Sequence, residues 1–242
     1  DQAAADNFEI LSINVDYPAF PSIRDQAEVA HHFAERNPER FHYATTFSMD
    51  GFGQAGWADR ANSQIDAEVR RGAVAVKVWK NIGMVERDAE GNLIFIDDAG
   101  FDPVFGHLAA TGIPLIAHQG EPYNCWLPIE QMTTRNDQLY FSAHPEYHMH
   151  LHPEMPSYQD LMARRDAMIA RNPTLNFVGA HMASARVDVT LVDGWPEHVQ
   201  AMRQHGLQVQ GMAGAVQAAV RALHLGELQQ CVREPAFDVA FI

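Results

Sequence analysis

Short apolar runs alternate with longer amphipathic ones along most of the chain. FEILSIN (8–14) reads as a strand. IRDQAEVAHHFAERNPERF (23–41) reads as a helix, because Ala27, Val29, Ala30, Phe33 and Ala34 recur at helical spacing before Asn37-Pro38 closes it. FHYATTF (41–47) is a second strand, WADRANSQIDAEVRRG (57–72) a helix ending at a glycine, and AVAVKVWK (73–80) a strongly apolar third strand. FDPVFGHLAATG (101–112) repeats the helix-then-glycine arrangement ahead of the strand IPLIAH (113–118). After a long irregular region, SYQDLMARRDAMIARNP (157–173) is helical and TLNFVGAH (174–181) is a fifth strand. Strands alternating with helices, three of them apolar on both faces, predict a parallel sheet covered by helices and joined by right-handed crossovers.

Two stretches depart from this rhythm. ERDAEGNLIFIDD (86–98) has a Gly-Asn turn between polar and apolar runs and predicts a small surface hairpin. Beyond Ser184 the stretches GWPEHVQAMRQHG and GAVQAAVRALHLGELQQCV predict a mostly helical C-terminal segment, dividing the chain into residues 1–184 and 185–242.

Periodicity does not choose between an open sheet and a closed barrel. No Gly-x-Gly-x-x-Gly or Gly-x-x-x-x-Gly-Lys-Ser/Thr follows any of the strands, which argues against a nucleotide-binding doubly wound fold. The strand ends carry Lys77 to Lys80, His118 and His181 instead. In a (β/α) barrel, polar residues at the C-terminal ends of strands are where chemistry is assembled.

Composition narrows the partners. At 47% hydrophobic and 20% charged residues the chain is that of a folded protein, and its formal net charge of -14 repels nucleic acid and anionic membrane surfaces alike. Small molecules and divalent cations remain compatible. Cys125 and Cys231 form neither a disulfide framework nor a Cys-x-x-Cys pair, which points to a reduced, cytoplasmic setting. No apolar run approaches the ~20 residues that span a bilayer.

IPLIAHQGEP (113–122) holds the imidazole of His118 on a rigid strand, with Gly120 allowing a sharp turn behind it. FVGAHMAS (177–184) repeats the construction at His181. Two strand-end histidines on successive strands lie side by side around a barrel mouth, where neutral imidazoles suit Zn, Mn or Fe. Each is equally readable, taken singly, as a buried histidine bonded to a neighbouring carbonyl. Lys77, inside an apolar strand, has its charged form disfavoured by desolvation, and this suits a Schiff-base amine, a carbamate bridging two metals, or a cation for a substrate carboxylate. Lys80 is as readily a lysine whose stem packs while its ammonium reaches solvent.

Taken together, NVDYPAFPS, FHYATTFS, AVAVKVWKNIGM, IPLIAHQGEPYNCW, HPEYHMHLHPE and NPTLNFVGAHMAS resemble the amidohydrolase-2 group of the amidohydrolase superfamily, over about residues 8–184. The resemblance implies a metal-dependent (β/α)8 TIM-barrel hydrolase or decarboxylase, incomplete here because only strands two to six are recognisable. It implies that His118 ligates a divalent metal, Zn above Mn or Fe. His181 becomes a second ligand or the catalytic histidine, and Lys77 a site residue on the fourth strand. Glu121 and Asn124 become substrate contacts, while Trp126, by its place after the metal loop, and His148, in the 146–154 loop, are substrate-side candidates from their positions in the chain. The first-strand His-x-His pair and the eighth-strand Asp of the family are not found, and Asp188 and Asp238 are the residues left to stand in for the latter.

Two other readings stand beside this one: a metal-independent Schiff-base lyase using Lys77, and a non-catalytic barrel fragment that assembles with a partner chain or as a homo-oligomer. The dense stretch EYHMHLHPE (146–154) looks like a metal site of its own. Three alternate histidines in an extended chain place the outer two ~13 Å apart, however, and Pro145, Pro153 and Pro156 put the stretch in a loop, so a lid over the barrel mouth is the better expectation.

Overall fold

The computed structural model describes residues 9–180, 190–193, 196–205, 207–211, 214–218 and 221–224. Five strands, β1 (Ile10–Ile13), β2 (Phe41–Thr45), β3 (Ala75–Val78), β4 (Leu115–Ala117) and β5 (Phe177–Gly179), form one sheet in sequential order, every pair parallel. The connections carry α1 (Ile23–Arg36), α2 (Trp57–Arg70), α3 (Asp102–Thr111), α4 (Arg135–Ala143) and α5 (Tyr158–Arg171).

Local chemistry sets the helix ends. Ser22, Thr134 and Ser157 each accept a hydrogen bond from the backbone N–H three residues on, capping α1, α4 and α5. Gly112 closes α3 in the left-handed region at φ 73°. The turn at 86–94 is a single antiparallel bridge between Arg87 and Leu93, and the following Ile94 and Ile96 are buried in the core, so this stretch is a clamp on the domain as well as a surface turn.

Sequential order has a topological consequence. When every crossover has the same hand and moves one strand in the same direction, all the helices fall on one face of the sheet. Packing agrees: Val76, Val78, Leu115 and Ala117 share one core with Ile65 of α2, Val104 and Leu108 of α3, and Met168 of α5. Tyr43 of β2 packs on Ala30 of α1. A doubly wound sheet would reverse its order and place helices on both faces. The described parallel α/β sheet is instead singly wound, the arrangement that curls toward a barrel.

Two expectations need correction. On α1 only Ala27 and Ala30 are buried, whereas Val29 is 58% and Phe33 48% exposed. Among the described residues β1 is an edge strand, with no further strand beneath the outer half of that stripe. In the C-terminal segment α6 (Pro196–His205) is helical as expected, but β6 (Thr190–Asp193), β7 (Leu207–Gly211), β8 (Gly214–Ala218) and β9 (Arg221–His224) are strands. β7 and β8 form an antiparallel pair and β6 pairs parallel with β9. LQVQ alternates apolar and polar residues with period two, and Gly211 and Gly214 bracket the turn, so strand chemistry outweighs helix propensity there. No helix among the described residues is long and apolar enough to cross a membrane.

Candidate functional site at the carboxyl ends of the strands

Side chains alternate across a strand. Val76 and Val78 enter the helix-covered core, so Lys77 between them stands on the opposite, interior face. Lys77 pairs in register with Ile116, and His118 lies two residues further along the same face of the neighbouring strand. At ordinary strand spacing this puts the Lys77 and His118 Cα atoms about 8 Å apart. His118 is half-buried, and its backbone N–H donates to the Val78 carbonyl at 3.1 Å, continuing the β3–β4 ladder to the sheet's end.

Lys77 is the unusual group. It is 1% exposed, its Nζ has no hydrogen-bond partner among the described residues, and burial pushes its pKa down to about 8. Its strand is held by the Thr46 hydroxyl, which donates to the Lys77 carbonyl at 2.8 Å. Lys80, by contrast, is paired with Glu121 and lies 5.2 Å from the centre of the Trp79 ring. Glu121 therefore meets a cation of the chain itself in this arrangement.

Loops after the first three strands are tied together by groups that sequence reasoning did not single out. Asp16 accepts from the Met49 N–H at 2.8 Å, and its carbonyl accepts from Asn81 Nδ2 at 3.0 Å. Asn81 Nδ2 also donates to Glu86 at 2.9 Å. Burial raises the Asp16 pKa, with the bond from Met49 opposing it. Above them Tyr17 and Phe20 meet the Trp79 ring edge-on at 5.0 and 5.8 Å. A polar residue next to an aromatic just past each strand, as in NVDYP and VWKN, was the available signal. Gly120 turns the chain after β4 at φ 81°, where a Cβ would also come within 2.9 Å of Leu161.

The segment 123–157 folds onto itself. Asn124, expected at the substrate, donates to Thr133 Oγ1 at 3.0 Å and to Asp137 at 2.6 Å, and its Oδ1 accepts from the Thr133 N–H at 3.2 Å. Trp126 Nε1 donates to the Pro156 carbonyl at 3.1 Å while its ring packs on Tyr158. His148 is buried, its Nε2 donates to the Leu127 carbonyl at 2.8 Å, and its ring stacks on Phe141 at 5.6 Å. Asn124 and His148, expected at the substrate, thus each hold partners within this segment. The Cys125 thiol is buried, donates to the Tyr147 carbonyl at 2.9 Å and is pushed up to about 12 by burial, so it is no nucleophile.

EYHMHLHPE is not extended. Pro145–Tyr147 and Met149–Leu151 are 3-10 turns, and His152 faces Glu154 through Nδ1 and the Pro145 carbonyl through Nε2. No three His, Cys, Asp or Glu side chains converge as a ligand set among the described residues. These residues contribute one strand-end imidazole, His118, which alone is fewer donors than a divalent ion needs. His181, Asp188 and Asp238 lie outside the described residues.

No family model and no curated protein matches the chain. Among solved structures it is similar to 2,6-dihydroxybenzoate decarboxylase complexed with 2,6-dihydroxybenzoate, at 18% identity and TM-score 0.46, over 76% of this chain and 54% of that one. It is also similar to 5-carboxyvanillate decarboxylase LigW from Sphingomonas paucimobilis, at 17% identity and TM-score 0.42, over 76% and 50%. A third is an amidohydrolase II, at 15% identity and TM-score 0.43, over 72% and 52%. The chain spans about half the length of these structures. Likeness of this degree assigns no activity.

Proposed function

We propose that this chain carries the strand-end half of an amidohydrolase-type active site, which hydrolyses or decarboxylates a small carboxylated substrate with a divalent metal, Zn before Mn or Fe. One observation carries the reading. Lys77 and His118 stand on the same face of a singly wound parallel sheet, toward the carboxyl ends of its strands, where ligands of such sheets bind. The ordered motifs from NVDYPAFPS to NPTLNFVGAHMAS support it further.

His118 and His181 are the residues that would hold the ion, the remaining ligands coming from outside the described residues. A bound divalent ion supplies a water of lowered pKa or a polarised carbonyl. Lys77 offers the interior face a basic group to meet a carboxylated substrate. Trp126 and the Lys80–Glu121 pair, which follow β4 and β3, border the approach from the loops.

Metal content of the purified chain, and turnover of a panel of small mono- and dicarboxylates with and without chelator, test the proposal. Turnover abolished by chelator, restored by Zn or Mn, and reduced about 100-fold or more by His118→Ala is expected. Full turnover after exhaustive metal removal would overturn it.

A further inference from the structure

We infer that Lys77 is a covalent site: its ε-amine condenses with the carbonyl group of a small oxo acid to form an imine. The inference rests on the reading that small carboxylates reach the interior face, but it needs no metal.

The chain uses lysine sparingly. Of its 17 basic residues only Lys77 and Lys80 are lysines, and both lie at the end of β3. Several of the arginines are placed against acids, as in Arg71 with Glu28 and Glu68, Arg164 with Asp97, and Arg171 with Asp102. Arginine serves those pairs well, but a guanidinium does not form imines. Lys80 is engaged by Glu121. Lys77 differs from these, a fully buried amine with neither an acid nor a hydrogen-bond acceptor at its Nζ among the described residues. A lysine present only to fill space would be better replaced by methionine, because an unpaired buried ammonium costs several kcal/mol. Retained without a partner, the amine is held closer to its neutral, nucleophilic form, as its lowered pKa of about 8 reflects.

In the step itself the neutral nitrogen attacks the carbonyl carbon, and the carbonyl π electrons move to oxygen, which takes up a proton. The carbinolamine then loses that oxygen as water while the nitrogen lone pair forms the C=N bond. Two N–H protons and the carbonyl oxygen leave as H2O, and no oxidant or reductant is required. His118 lies about 8 Å away between Cα atoms on the same face. Protonation of the imine restores a positive charge at a position where the described residues provide no acid partner. A carboxylate carried in by the ligand itself supplies that charge, and this selects an oxo acid over a neutral aldehyde.

The test is reduction with borohydride of the chelator-treated, full-length chain in the presence of pyruvate, followed by peptide mapping. The expected result is a reduced adduct on Lys77, in about tenfold excess over Lys80, with acetaldehyde labelling Lys77 less than pyruvate does. In urea the preference for Lys77 is expected to vanish. The mapping is read in the wild type, so it stands even if a Lys77→Arg variant fails to fold; a folded variant should give no adduct at that position. No adduct on Lys77, equal labelling of the two lysines, or the same ratio in urea would overturn the inference. Loss of the metal-dependent reading appears instead as turnover indifferent to chelator, so the two fail separately.

Discussion

On one face of the five-stranded sheet Val76, Val78, Leu115 and Ala117 are sealed under helices; on the other, Leu11, Ile13 and Val178 are 47%, 48% and 39% exposed while Lys77 among them is buried. Both faces belong to the same strands, yet they do different work. The covered face is closed by long apolar side chains from three helices and by the Phe47, Trp57, Phe101 and Phe105 rings, whose centres stand 5.5–6.4 Å apart. It supplies the hydrophobic stabilisation that lets the interior face hold an unpaired amine. Cost and benefit are thus separated by one residue along β3, from Val76 to Lys77.

Cutting into the covered face should have the largest effect. Leu108 is fully buried beneath β3 and β4, and Leu108→Ala is expected to lose about 3 kcal/mol in urea denaturation. A loss below about 1 kcal/mol would mean that the helices do not seal that face. The interior face should respond in the opposite direction. Lys77→Met removes a buried charge without changing volume much and is expected to stabilise the chain by about 2 to 3 kcal/mol at pH 7.

The same lysine gives stability a defined pH dependence. Its folded pKa is lowered to about 8 from 10.5, so between those values the unfolded chain holds a proton that the folded chain has released, and stability rises with pH above about 8. From about pH 9 the rise is opposed. Cys125 and Tyr43 are pushed up to about 12 from 9.0 and 10.0, and they keep protons that the unfolded chain loses. Thermal melts from pH 7 to 9 should show the increase in wild type and its absence in Lys77→Met.

Smaller effects sharpen the contrast at the periphery. His148→Ala removes one hydrogen bond and a stacking contact in the segment that packs beside the sheet, and about 1 to 2 kcal/mol of lost stability is expected by urea denaturation. Lys80→Met breaks a partly exposed ion pair and should change stability by under about 1 kcal/mol. A larger loss would place Lys80, rather than Lys77, at the centre of the site's energetics.

The five strands and four of the five helices between them were legible from residue periods alone, since each element must bury one face against its neighbours; α4 lies in the stretch that read as irregular. Gly72, Gly112 and Gly120 adopt the positive φ their positions implied. The site was legible only in outline. Lys77 and His118 stood out because a polar group inside or ending an apolar strand is rare. The commitments of Asn124, His148 and Glu121 did not, since their partners Asp137, Leu127 and Lys80 are 13, 21 and 41 residues away. EYHMHLHPE drew attention through density, but it folds into turns in which His148 and His152 face separate acceptors.

The sequence by itself determined the order of the five parallel strands and the parallel α/β class, and it marked Lys77 and His118 as candidates, because these depend on local propensity and on alternation within short windows. Only the tertiary structure decided that the sheet is singly wound, that Lys77 faces away from the helices with no partner among the described residues, and that Lys80 is paired with Glu121. Those outcomes depend on strand order and register, which bring distant residues together and are set by the packing of the whole sheet rather than by any one segment of it.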